Sequence, residues 1–245
     1  MTEFKPLKIK IFADGADLQA MKAMYANPMV KGFTTNPTLM KVAGVTDYAE
    51  FARKVLQAIP DRPVSFEVFA DEFDEMERQA MEIASWGRHV NVKIPVTNTK
   101  SAFAGPLVNR LSARGVQVNV TAIFTLDQVR KIAEALDPKT SAIVSVFAGR
   151  IADSGIDPVP LMEEAAKILK TRPKAELLWA SPRELLNVIQ ADQVGCGIIT
   201  VTNDILKKLS LIGKDQDLYS LETVRMFYND AQAAGFTIST PTLAS

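Results

Sequence analysis

The sequence predicts an α/β protein, a closed (β/α)8 barrel with one additional C-terminal helix, on three observations. Eight short runs rich in Val, Ile and Phe recur along the chain, segments with helical spacing separate them, and the whole is 245 residues long. Eight β/α units closed into a TIM barrel typically need about 250 residues. An open, doubly wound sheet is the alternative arrangement of the same alternation.

The β-like runs are KIKIFAD (8–14), GFTTN (32–36), VSFEVFA (64–70), VNVKIPV (90–96), VQVNVTAIF (116–124), AIVSVFAG (142–149), AELLWAS (175–181) and GIITVT (197–202). DEMERQAMEIASWG follows the third run and TLDQVRKIAEALD the fifth, both with apolar residues at helical spacing. No Gly/Ser linker or low-complexity tract interrupts the chain, so residues 1–245 read as one domain. Residues 215–235 (DQDLYSLETVRMFYNDAQAAG) form a last amphipathic helix, expected to lie across the barrel or to reach a neighbouring subunit of a homo-oligomer.

Composition narrows the function. Hydrophobic residues make up 47% of the chain, ample for a large core. Lys plus Arg (28) balances Asp plus Glu (28), which argues against a nucleic acid or an acidic membrane surface as partner. No apolar run approaches the about 20 residues that span a bilayer. The N-terminal MTEFKPLKIK lacks the apolar core of a signal peptide, and the single cysteine, Cys196, fits a reducing compartment. A cytoplasmic protein is expected. The single histidine, His89, disfavours a multi-histidine metal site; it reads as structural, and neither metal nor cofactor is expected.

In a barrel, alternate strand residues point into the lumen and active sites sit at the strands' C-terminal ends. The polar residues follow that parity. Asn91, Lys93 and Pro95 share one face of the fourth run; Ser65 and Glu67 share one face of the third; Gln117, Asn119 and Thr121 one of the fifth; Ser145 and Phe147 one of the sixth. Asp14 ends the first run, and Thr34, Thr35 and Asn36 end the second. Two acids, one amine and a ring of hydroxyls and amides thus converge on one mouth. A desolvated amine spends more of its time unprotonated, the form that attacks a carbonyl to make a Schiff base. Lys93 is therefore either such a nucleophile, with its acids remote or bridged by water, or half of a buried ion pair with Glu67 or Asp14 that holds the barrel together. Asp17, three residues past Asp14, reads as charge compensation at a helix N-terminus.

The segments IFADGADL, GFTTNPTL, VNVKIPVT, NVTAIFT, VFAGRI and ASPRE occur in order and spacing as in the transaldolase family, including its smaller members and the related fructose 6-phosphate aldolases, and the resemblance covers nearly the whole chain. It implies catalytic roles for Lys93 as the Schiff-base lysine, Asp14 as general acid/base, and Glu67 with Thr121 as holders of a catalytic water. It further implies substrate binding by Thr34, Asn36, Asn119, Ser145, Phe147 and Arg150, with Ser181 and Arg183 on the sugar phosphate. The chain departs from the family pattern at Val146, where proline is usual, and at Pro182, where phenylalanine is usual. Glu67 and Phe147 match the transaldolases; the fructose 6-phosphate aldolases resemble this chain elsewhere but carry glutamine and tyrosine there.

The resemblance implies a transaldolase of the pentose phosphate pathway, which moves a three-carbon dihydroxyacetone unit from fructose 6-phosphate or sedoheptulose 7-phosphate to an aldose phosphate. The alternatives are an aldolase that releases free dihydroxyacetone and a non-catalytic phosphosugar-binding barrel.

Overall fold

A computed structural model describes residues 6–240. Eight strands form a closed barrel in sequence order: β1 (Lys10–Asp14), β2 (Val30–Thr34), β3 (Val64–Glu67), β4 (Val90–Pro95), β5 (Val118–Ile123), β6 (Ala142–Val146), β7 (Ala175–Trp179) and β8 (Ile198–Val201). All neighbouring pairs are parallel, and β1 pairs with β8 to close the ring. The fold is the (β/α)8 TIM barrel, so the expectation of a closed barrel over an open sheet holds. Each expected run contains or overlaps one strand.

Helices α1 (Leu18–Tyr25), α2 (Pro37–Val42), α3 (Tyr48–Ala58), α4 (Phe73–Ser85), α5 (Gly105–Ala113), α6 (Leu126–Ala135), α7 (Ala148–Asp153), α8 (Val159–Leu169), α9 (Leu186–Gln193) and α10 (Asn203–Lys208) alternate with the strands. Two connections carry a pair of helices: α2 and α3 join β2 to β3, and α7 and α8 join β6 to β7. Local chemistry starts them. Asp17, Asn36 and Asp47 cap α1, α2 and α3 by accepting from the backbone N–H groups of Ala20, Leu39 and Glu50. Thr125 and Gln128 form a reciprocal capping box on α6.

The described chain divides into a compact unit of Leu7–Lys208, which holds every strand, and a second unit made of the residues on either side. The second contains a short 3-10 helix (Leu209–Leu211) and α11 (Gln216–Ala233), the C-terminal helix, capped by Asp215 through the N–H of Leu218. No residue of α11 is buried, and its apolar residues are spread around its circumference and do not gather on one stripe. The expected amphipathic face is therefore absent. Among the described residues no helix is long and apolar enough to cross a membrane.

Below the mouth the lumen is packed. Phe12, Ile143, Leu178, Ala180 and Ile198 form a buried plug, and Phe147 packs against it. Gly32 makes room for that plug, since a Cβ there would stand 2.5 Å from the Phe12 ring. Layers of bulky side chains filling a barrel interior turn it into a floor, so any ligand must sit above, at the C-terminal ends of the strands.

Candidate active site

Strand register sets the side chains beside one another before any loop contributes. Asp14 is aligned with Thr34 across β1 and β2. Glu67, Lys93 and Asn119 are aligned across β3, β4 and β5. With a period of two, residues in register share a face, and the face here is the lumen. A cavity of about 370 Å³ opens above the plug, lined from seven strands by Asp14, Thr34, Glu67, Lys93, Asn119, Thr121, Ser145 and Thr200. The segments after the strands add Asn36, Phe147, Ser181 and, from α7, Arg150.

Lys93 is 7% exposed. Its amine donates to the Thr35 carbonyl oxygen at 2.8 Å and pairs with Glu67 Oε2 at 3.0 Å. These two contacts explain how an apolar strand carries a lysine: a buried charge persists when it is paired and hydrogen-bonded. The acid is in direct contact, whereas a remote or water-bridged one was expected for a nucleophile. The buried ion pair with Glu67, one of the two readings of the sequence, is the arrangement the amine adopts.

Asp14 accepts a hydrogen bond from the Thr34 hydroxyl at 2.8 Å, and that hydroxyl also bonds the hydroxyl of Thr200. Burial holds the Asp14 carboxyl above the usual carboxylate range; the Thr34 hydrogen bond and the Lys93 charge pull it down, while the Glu67 charge pushes it up. A carboxyl so tuned exchanges protons closer to neutrality. On the opposite wall the Asn119 amide is oriented from both ends. Its Oδ1 accepts from the Ser145 hydroxyl at 2.6 Å and its Nδ2 donates to Ser65 Oγ at 3.1 Å.

Cations sit on the rim. Arg150, on α7, is exposed, lines the cavity and lies over the Phe147 ring at 5.6 Å. Arg183 is the one residue expected at the site that does not line the cavity; its guanidinium makes a two-point pair with Asp153, with Nε donating to Oδ1 at 2.9 Å. Asn36 does face the cavity, although its Oδ1 is committed to capping α2 and only its amide N–H groups remain to donate. His89 bonds Arg88 ahead of β4, away from the mouth.

Sequence reasoning expected Ser181 at the cavity and missed Thr200 and Ala122. Thr200 lies on the lumen parity of β8, a signal present in GIITVT. Ala122 and Ser181 line the cavity with φ of 59° and 57°, left-handed values rare for residues with a Cβ. Such backbone conformations cluster at functional sites. Ala122 sits where the β5–β6 register slips between Val120 and Ile123, and Ser181 sits where the chain passes within reach of Gly149. At Gly149 a Cβ would stand 1.6 Å from the Ser181 carbonyl oxygen, so only glycine allows α7 and the loop after β7 to meet. Side-chain pattern carries no trace of either backbone conformation.

A lysine beside a carboxylate, a second carboxyl raised by burial and a cationic rim over a barrel floor agree with one family model, described as transaldolase/fructose-6-phosphate aldolase, which matches residues 11–241. The chain belongs to the transaldolase/fructose-6-phosphate aldolase family. It is 35% identical over 202 residues to a probable transaldolase of Dehalococcoides mccartyi, covering 82% of this chain and 90% of that one. A probable transaldolase of Methanococcus maripaludis is 36% identical over 202 residues, covering 82% and 89%. One from a Thermoanaerobacter species is 33% identical with the same coverage. Among solved structures, a putative phosphonomutase of Burkholderia cenocepacia aligns over 91% of this chain and 93% of its own with a TM-score of 0.54; at 10% identity it speaks for the barrel alone. The protein is thus an enzyme with transaldolase-type function.

Proposed function

We propose that the enzyme transfers a dihydroxyacetone unit between sugar phosphates through a Schiff base on Lys93. The observation that carries this reading is the Lys93 amine held at 3.0 Å from Glu67 in the same cavity as Asp14. The substrates that fit are fructose 6-phosphate or sedoheptulose 7-phosphate as donor and an aldose phosphate as acceptor, as in the pentose phosphate pathway.

In this reading Glu67 takes a proton from the Lys93 ammonium, and the free amine attacks the C2 carbonyl of the ketose. Glu67, through a water beside Thr121, returns the proton as the carbinolamine loses water to become an iminium. Asp14 then removes the C4 hydroxyl proton, the C3–C4 bond breaks, and its electron pair moves into the iminium to give an enamine. The aldose phosphate leaves. The enamine attacks the aldehyde of the acceptor, Asp14 returns its proton to the new hydroxyl, and water hydrolyses the resulting iminium to free Lys93. Asn119, fixed by Ser145 and Ser65, offers the substrate an amide of set orientation.

Ser181 and Arg150 on the rim suit the phosphate, with a guanidinium able to clamp it at two points. Arg183 would join them on leaving Asp153. Phe147 presents a ring where a tyrosine would present a hydroxyl, so it gives the enamine no proton and favours transfer over release of free dihydroxyacetone.

The test is borohydride reduction in the presence of fructose 6-phosphate, followed by peptide mass analysis. A three-carbon adduct on the peptide bearing Lys93 is expected, with activity lost in proportion. Lys93→Arg keeps the charge and should give neither adduct nor activity. An adduct on another lysine overturns the mechanism.

A further inference from the structure

Glu67 ends β3 in an unusual position for a strand residue. On the β4 side the ladder continues, with Val68 N–H donating to the Lys93 carbonyl oxygen. The main chain of Glu67 itself faces β2. There the last ladder bond runs from Thr35 N–H to the Ser65 carbonyl oxygen. One further step of a parallel ladder would take Glu67 N–H to the Thr35 carbonyl and give the Glu67 carbonyl an N–H from residue 37. Neither partner serves. The Thr35 carbonyl accepts from the Lys93 amine, and residue 37 is a proline, which has no N–H.

The phenol of Tyr48, at the first position of α3, fills both vacancies. Its oxygen accepts from Glu67 N–H at 2.7 Å and donates to the Glu67 carbonyl oxygen at 3.0 Å. Tyr48 thus holds, from both main-chain groups, the residue whose carboxylate pairs with the Lys93 amine. The ring is fixed independently. Phe66 and Trp86 meet it edge-on at 6.1 and 5.5 Å, and Phe69 lies at 4.5 Å. Burial pushes the phenol well above its ordinary value, which keeps the donor proton in place.

We infer that Tyr48 is a positioning residue for the proton relay: by replacing the missing strand partner of Glu67, its hydroxyl sets the distance between the Glu67 carboxylate and the Lys93 amine. A carboxylate at the free end of a strand, with two unmet main-chain groups behind it, would otherwise hydrate and swing. The inference rests on the Schiff-base reading of Lys93 and Glu67 given above.

The test is a double-mutant cycle of Tyr48→Phe with Glu67→Gln. Phenylalanine keeps the ring and its aromatic packing while removing both hydrogen bonds. Two readouts are taken: kcat and KM for transfer from fructose 6-phosphate, and acetylation of Lys93 by acetic anhydride, measured on its peptide. In Tyr48→Phe, kcat should fall about ten- to a hundredfold, the range seen when reacting groups are slightly misplaced, with KM nearly unchanged and the Lys93 acetylation rate altered. In the Glu67→Gln background the same substitution should change neither readout. General loosening of the barrel would lower activity by the same factor in both backgrounds, and that result overturns the inference. So does wild-type kcat with wild-type acetylation in Tyr48→Phe. If wild type transfers nothing, yet acetylation responds to Tyr48→Phe only when Glu67 is present, the functional reading fails and the positioning role stands.

Discussion

At the scale of single residues, the polar lumen was readable because strand parity is a strict rule: a period of two put Glu67, Lys93, Asn119, Thr121 and Ser145 on one face, and all line the cavity. Distances were not readable, which is why the direct Lys93–Glu67 contact and the Asp153 partner of Arg183 had to come from the structure. Asp14 shows what the environment adds to a residue type. Because its carboxyl is raised chiefly by burial, the ionised form is a cost to the fold: that cost is absent below the unfolded carboxylate range and fully present above the raised folded value. Asp14→Asn should therefore abolish transfer while leaving the melting temperature at pH 7 equal or higher. As a base Asp14 works only when ionised, so the acid limb of kcat/KM should lie above the ordinary carboxylate range. Thr34→Val removes a hydrogen bond that lowers the Asp14 value, and it should move that limb to higher pH. A limb that stays put would take Asp14 out of the rate-determining proton transfer.

At the scale of elements, the eight strands were legible and their ends were not. GFTTN read as a strand through Asn36, yet β2 stops at Thr34 because Asn36 turns away to cap α2, with Pro37 at its start. VSFEVFA read as a strand through Ala70, yet β3 stops at Glu67, where the hydroxyl of Tyr48 takes over from a strand. Both overruns have one cause. Apolar content continues past the point where the main chain leaves the sheet to build the mouth, and pattern alone does not register that departure. The α7 junction is the same kind of feature, a contact between two loops that depends on the absence of one carbon. Gly149→Ala should cost about 1–3 kcal/mol of stability through overpacking against the Ser181 carbonyl, read as a lower denaturant midpoint. It should also raise KM for sugar phosphates, since Arg150 and Ser181 flank that contact. A variant as stable as wild type would mean that the two segments separate freely.

At the scale of the whole molecule, the closed barrel of eight sequential strands accounts for Leu7–Lys208, and the composition and alternation that predicted it are features of that unit. The C-terminal helix was legible as a helix and misjudged in character. Its apolar residues recur often enough to suggest a stripe, but Leu218 and Phe227 stand on opposite sides of α11, and Tyr219 and Tyr228 are likewise far apart around it. Helices apolar on all sides are stable in water when something covers them, whereas Leu221, Val224, Met226, Phe227 and Tyr228 are exposed here. Exposed apolar surface of that extent suits an association site, and the homo-oligomer expected from the sequence would supply a second copy as its cover. Phe227→Glu combined with Tyr228→Glu places two charges where such a contact would bury rings, a heavy penalty for association and a small one for a solvated helix. Sedimentation velocity should then show wild type as an oligomer and the double variant shifted to monomer. Borohydride trapping on Lys93 should persist in both, because every strand that bears the site lies within Leu7–Lys208. A monomeric wild type, or a variant that sediments as wild type does, would remove this helix from the assembly.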